Sequence, residues 1–306
     1  MTHNISTADV IKGLVSGLLA TLFMSLTSVF AKEAAQYHHQ VEIVFFRHLF
    51  SFFFILIFTG LFLRNIKALK PVRFRTHIVR AVLGSTTMFF LFYAVKYLSL
   101  AEASSLFLTG PLFLTILSWP ILGERVGFIR ISGVIVGLAG AWLIIQPAHI
   151  SSFTGALLAL ASGFFSGLVM LTLRWMGRTE PPLVTVFWFA TLGLAMMSVF
   201  LPFFWSTPTS HSLILMAGIG FFASLLQYFQ SLSYVKLPAI TAGSLMYTML
   251  IWSFFLDLII WGVVPDKMII LGGITITASN IAILLRSAHP TKPSPDYNQE
   301  TSERKL

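Results

Sequence analysis

Between Lys96 and Pro147 the chain carries two apolar runs of about twenty residues each, separated by Gly123-Glu124-Arg125. A helix rising about 1.5 Å per residue needs roughly that length to cross a hydrocarbon core of about 30 Å. In lipid every backbone N–H and C=O must find its partner inside the protein, and one segment achieves that alone only as a helix. The stretch therefore predicts a helical hairpin in a membrane, and Gly133, Gly137 and Gly140 let a neighbouring helix approach its second arm closely. The other segments are built alike. Of 306 residues, 56% are hydrophobic and 10% charged, against about 25% charged in soluble domains, so the whole chain reads as an integral membrane protein. It has no cysteine, hence no disulfide framework and no thiolate metal site. The net charge of +9 does not point to nucleic acid, because the basic residues fall in short connections rather than on one soluble face.

The expected fold is all-α, with ten transmembrane spans at about 12–31, 41–63, 76–98, 101–121, 128–146, 153–174, 183–204, 212–234, 239–261 and 268–286. The first span has no small-residue cleavage site behind it and reads as retained. Placing the amino terminus in the cytoplasm puts sixteen of the twenty Lys and Arg residues, Arg80 and the run from Arg64 to Arg75 among them, on the inner side. Only Lys32, Arg47, Lys96 and Lys267 then lie outside, which the positive-inside rule favours, so both termini are expected in the cytoplasm. The tail from Ala288 to Leu306, with three prolines and mixed charge, is expected to be disordered. His38 and His39 fall in an outer loop, without metal-site spacing, and are expected to be solvated.

The two halves resemble each other. Setting Tyr97 on Tyr234 brings Phe90 opposite Gln227 and Tyr93 opposite Gln230, and the Gly133, Gly137, Gly140 row falls on Gly273, Thr277 and Asn280 at nearly the same offset. Five spans per copy is odd, so the second copy would enter from the opposite side, as in carriers built on inverted repeats. Residues 1–147 and 148–287 are the two expected repeats.

Polar residues within the spans are few and patterned. Ser224, Gln227, Gln230, Ser231 and Tyr234 share one face of the eighth span, and Thr86, Phe90, Tyr93 and Tyr97 form the matching face of the third. An amide in lipid without a partner costs a few kcal/mol, so these faces look into the bundle, as interhelical hydrogen bonds or as cavity walls. Glu102, Ser105 and Thr109 form a stripe on the fourth span just before Pro111, which frees a carbonyl. Candidate substrate contacts are Tyr93, Gln227, Gln230, Tyr247, Trp252 and Thr109; candidate gating or coupling residues are Arg47, Glu102 and Asp257. Arg47 is expected to pair structurally with Glu42 or Glu102, or to couple with Asp257 near the outer mouth; Asp257 has Lys267 as its alternative partner. Glu124, beside Arg125, reads as a cap or loop residue.

The segments Ala101-Glu102-Ala103-Ser104-Ser105-Leu106, Thr109-Gly110-Pro111-Leu112-Phe113 and Leu122-Gly123-Glu124-Arg125 resemble the fourth and fifth helices of the drug/metabolite transporter superfamily, EamA type. Glu42 to Phe54 with its Arg47, Arg80-Ala81, Tyr247-Thr248-Met249-Leu250 and Trp261 to Asp266 are similar to that family's second, third and ninth helices, so the resemblance covers about residues 12–286. One departure is that the glutamate of the second repeat falls on Val263. The resemblance implies a secondary carrier in the bacterial cytoplasmic membrane with no cofactor, moving a small amphiphilic metabolite such as an amino acid or nucleoside-like compound. A proton or an exchanged metabolite is the candidate coupling partner. Glu42–Phe54 and Pro265-Asp266-Lys267 look closest to the S-adenosylmethionine uptake branch. The alternative is a flippase-like, lipid-handling or membrane interaction protein of the same superfamily. No H-E-x-x-H, G-x-S-x-G or phosphate-cradling loop is present, so neither a hydrolase nor an ATP-driven pump has support.

Overall fold

A computed structural model describes residues 7–60, 69–122, 128–145, 150–176, 182–237 and 245–288. These are helical throughout, with no strand among the described residues. The helices are α1 (Thr7–Ala34), α2 (Gln40–Thr59), α3 (Phe74–Tyr97), α4 (Leu100–Phe107), α5 (Gly110–Leu122), α6 (Phe128–Ile145), α7 (Phe153–Met176), α8 (Pro182–Phe200), α9 (Ser210–Lys236), α10 (Thr248–Leu256) and α11 (Lys267–Ala288). Seven segments are long and apolar enough to cross a membrane, α4 and α5 counting as one, and Ile131–Ile145, Leu245–Trp261 and Lys267–Ile283 are shorter apolar helices. Large apolar side chains face outward, Phe128 at 84% exposure and Trp142 at 69%, where a soluble protein would carry charge.

Local chemistry explains where the helices stop. Gly60, at φ +54°, ends α2 in the left-handed conformation, its N–H returning to the Leu56 carbonyl, so the helix closes short of the 63 expected. The fourth span, expected over 101–121 with its ladder interrupted at Pro111, is two helices. Pro111 lacks an N–H and its ring would strike the Phe107 carbonyl, so α4 ends there and Leu108-Thr109 form a turn before α5 begins. The ninth span is also irregular: a 3-10 turn at Leu245–Tyr247, then α10, then a π turn at Asp257–Trp261 that Gly262 closes at φ +66°.

Packing is pairwise. α1 lies along α9, α3 along α7, and α6 along α11; α2 bridges α9 and α8, while α4 touches both α7 and α10. The first two pairs are closed at their ends by the same device. Leu98 follows α3 with φ −115°, ψ 159° and lies over Gly155 of α7, while Leu237 follows α9 with φ −118°, ψ 153° and lies over Gly13 of α1. Phe23 and Phe30 of α1 pack on Phe222 of α9 at 5.9 and 5.3 Å between ring centroids, contacts worth about 0.5–1.5 kcal/mol each beyond their burial.

Two expectations are corrected here. His38 is buried: its Nδ1 lies 2.9 Å from Glu42 Oε2 and 2.8 Å from Ser206 Oγ, and His39 stacks on Phe204 at 4.1 Å. Ser206 and Phe204 of the 201–209 connection lie against these imidazoles, so that His38 is removed from solvent and His39 is partly covered. Arg80, counted with the inner connections, is buried between helices and 8% exposed. Glu124-Arg125, residues 64–68 of the Arg64–Arg75 run and the tail beyond Ala288 lie outside the described residues.

Candidate functional site

The polar stripes of the sequence resolve into three clusters and a helix break. The first gathers where α3 gives way to α4. Ser99 opens α4 with a capping box: its hydroxyl accepts from the Glu102 N–H, and Glu102 Oε2 accepts from the Ser99 N–H at 2.7 Å. Glu102 also accepts from the Ser151 N–H at 2.7 Å and from the Ser151 hydroxyl, tying α4 to the entrance of α7. The next two backbone donors of α4, Leu100 and Ala101, give their hydrogens to Asp257 Oδ1 and Oδ2 at 3.0 and 2.8 Å. An anionic carboxylate on the positive end of a helix is a favourable pairing, here made by a residue 157 positions away. Lys32 Nζ donates to the Leu98 carbonyl at 2.9 Å and lies 4.5 Å above Trp261, whose Nε1 donates to Glu33.

The second cluster continues from Asp257 along α10. Ser253, one turn earlier, bonds Ser104 at 2.6 Å and meets Ser25 of α1 at 3.4 Å, and Thr248 bonds Thr21 at 2.7 Å. This seam joins α1, α4 and α10 and ends at a small cavity lined by Gly17, Thr21, Met24, Leu226, Gln230 and Met246, among others. Gln230 Nε2 reaches the Met246 sulfur at 3.3 Å, a weak acceptor for an amide.

Arg47, His48 and Arg80 form the third, around the ring of Phe189 on α8. At the helix break, Thr109 is fully buried; its hydroxyl turns back to the Leu106 carbonyl at 2.6 Å, beside Gly163 of α7. The Leu108 carbonyl, left over by the break, accepts from Asn280 Nδ2 of α11 at 2.9 Å.

The structure thus brings Glu102 and Asp257 together on one helix end and leaves Arg47 in a different cluster. Glu42, offered as a partner of Arg47, bonds His38 and Ser206 instead. Thr109 faces helix packing, and Tyr247 is 6% exposed within the apolar core. Ser224, assigned to the glutamine face, bonds the Gly220 carbonyl of its own helix. Gln227 is half-buried on α9. Tyr93 packs on Phe89 and Tyr97 at 5.9 and 5.6 Å, and Trp252 keeps a buried Nε1 without an acceptor. The side chains of Ser231 and Tyr234 lie outside the described residues. Sequence reading missed the seam of Thr21, Ser25, Thr248 and Ser253. Its only linear trace is the i, i+4 spacing of Thr21 with Ser25 and of Ser253 with Asp257.

This arrangement holds a small cavity and helix breaks inside an apolar-surfaced bundle, and comparison with known proteins fits it. The profile of the EamA-like transporter family matches residues 11–146 and again 153–285. The pseudopaline exporter CntI of Pseudomonas aeruginosa is 28% identical over 90% of this chain and 97% of its own. The S-adenosylmethionine uptake transporter of Rickettsia prowazekii is 25% identical, covering 90% and 95%. A solved crystal structure superposes with a TM-score of 0.62 at 18% identity, over 91% of this chain and 99% of that one, and so shares the fold. The chain belongs to the EamA-like transporter family and is a multi-pass membrane transporter.

Proposed function

We propose that the protein is a secondary carrier of the cytoplasmic membrane that moves a small amphiphilic metabolite by alternating access, with ten spans arranged as two inverted repeats. The family profile matching twice supports this. So does the exchange in the packing: α1 with α9 and α3 with α7 are the same pairing if the first and sixth, and the third and eighth, spans are equivalent. The charge count supports cytoplasmic termini, and the family match supports the inner-membrane location.

The observation that carries the reading is the small cavity between α1, α9 and the ninth span, lined by Thr21 of the polar seam and by Gln230, whose amide meets a thioether. An amide held so weakly gains from a solute that accepts its hydrogen bond better. The buried indole Nε1 of Trp252 is a further donor without an acceptor among the described residues, half-buried Gln227 is a second amide on the same helix as Gln230, and Tyr93 and Tyr247 belong to the same reading as aromatic walls. The two relatives act, by name, on S-adenosylmethionine in uptake and on pseudopaline in export, so direction does not carry over from either. An amino-acid or nucleoside-like solute, S-adenosylmethionine first among those to try, suits the amides and aromatic rings.

Counterflow of labelled S-adenosylmethionine and a panel of amino acids and nucleosides into proteoliposomes tests this. Uptake that falls at least tenfold in the double variant Gln227→Leu, Gln230→Leu, with insertion intact, supports the site. Scrambling of a fluorescent phospholipid with no metabolite counterflow overturns it in favour of lipid handling.

A further inference from the structure

Two arginines and one aromatic ring meet inside the bundle. Arg47 of α2 and Arg80 of α3 place their guanidinium carbons 5.4 and 4.3 Å from the centre of the Phe189 ring on α8. His48 turns its edge to the same ring at 5.0 Å, and its Nε2 lies 3.0 Å from Ser85 Oγ. The arginines are 2% and 8% exposed, and His48 is fully buried.

Among the described residues, Nε and Nη1 of Arg47, Nε of Arg80 and Nδ1 of His48 are buried without a hydrogen-bond partner. The charge that acts on Arg47 is a second cation, Arg80. Each acid among the described residues is engaged elsewhere: Asp9 with Lys236, Glu33 with Trp261, Glu42 with His38, Asp266 with the Met268 N–H, and Glu102 and Asp257 with the start of α4. One ring shared by two guanidiniums does not offset the loss of water around two ions. Gly84 lets the Arg80 guanidinium and the Phe189 ring pack directly on α3, since a Cβ there would collide with both.

We infer that Arg47 and Arg80, with His48 beside them, form a site for an anionic group, a carboxylate or phosphate, carried by the transported solute. Two planar forks and an imidazole supply the convergent donors such a group accepts. This rests on the carrier reading above and adds a charge to its substrate class. The group completes the hydrogen bonds that these side chains leave open, so the solute stabilises the folded protein by mass action.

Binding, not transport, tests it, so a failure here leaves the carrier reading standing. Protein purified in a neutral maltoside detergent is melted in rising inorganic phosphate or succinate, with chloride at matched ionic strength as control. The melting temperature should rise by several degrees and saturate, and the rise should vanish in Arg47→Gln and Arg80→Gln. If these variants do not fold, Arg47→Lys and Arg80→Lys, which keep charge and lose the fork, replace them and should bind at least tenfold more weakly. An anion response equal in wild type and variants overturns the site. A parallel titration with phosphatidylglycerol against phosphatidylcholine separates the sources: arginine-dependent stabilisation by phosphatidylglycerol alone, with none by phosphate or succinate, makes the ligand a lipid headgroup and overturns the solute assignment.

Discussion

Asp257 illustrates how one carboxylate can hold two distant parts of a membrane protein. It accepts the N–H groups of both Leu100 and Ala101, so Asp257→Asn, with one acceptor oxygen and an amide aimed at a donor, should lower stability by about 1–3 kcal/mol. Thermal melting in detergent reads this, and an unchanged melting temperature would contradict it. Because Arg47 belongs to the Phe189 cluster, the losses from Asp257→Asn and Arg47→Gln should add within about 0.5 kcal/mol in a double-mutant cycle. His39 gives a pH signature. Its Nδ1 accepts the Val41 N–H at the start of α2, and burial, with Lys96 nearby, holds it below the ordinary histidine value of 6.5. A depressed histidine contributes stability that is complete above 6.5 and is lost as pH falls through its folded value. His39→Asn keeps a capping oxygen without titrating, so melting curves between pH 7 and pH 5 should flatten relative to wild type. Asp257 and Arg47 were visible in the sequence as costly intramembrane charges, but their partners were not. A bond to backbone 157 residues away leaves no trace in local spacing.

Helices were the most legible part of the chain, because apolar runs of this length have few alternatives in lipid. The break at Pro111 could be read from the sequence, whereas the 3-10 and π turns around α10 depend on contacts with α1 and α4 that no propensity encodes. The glycines of α6, by contrast, do what their spacing promised. A Cβ on Gly272 would lie 2.6 Å from the Gly140 carbonyl, and one on Gly140 would lie 2.9 Å from the Gly272 carbonyl. Both contacts are with backbone, so no side-chain adjustment relieves them. Gly272→Ala should force α6 and α11 apart and cost about 1–3 kcal/mol, whereas the same change at exposed Ile274 on the same helix should be nearly neutral by melting temperature.

At the scale of the molecule, the expected inverted repeat makes a prediction about sidedness. Reporter fusions after Gly177 and after Thr207 should fall on opposite sides of the membrane, cytoplasmic and external respectively; a shared side would remove the ten-span arrangement. The pairing of α3 with α7 and of α1 with α9 means that each half is closed by the other, so neither half should be stable when expressed alone. The buried arginines also bear on biogenesis. Arg47 and Arg80 lie about two turns inside α2 and α3, and a guanidinium costs up to roughly 3 kcal/mol at insertion when it is at the centre of a span, before α8 has arrived to offer Phe189. The ribosome must therefore deliver α2 and α3 into the bilayer with their charges unshielded, carried mainly by the phenylalanine-rich flanks of Arg47. Arg47→Leu should raise the membrane yield of the full chain even as it removes anion binding, so for this residue abundance and activity move in opposite directions.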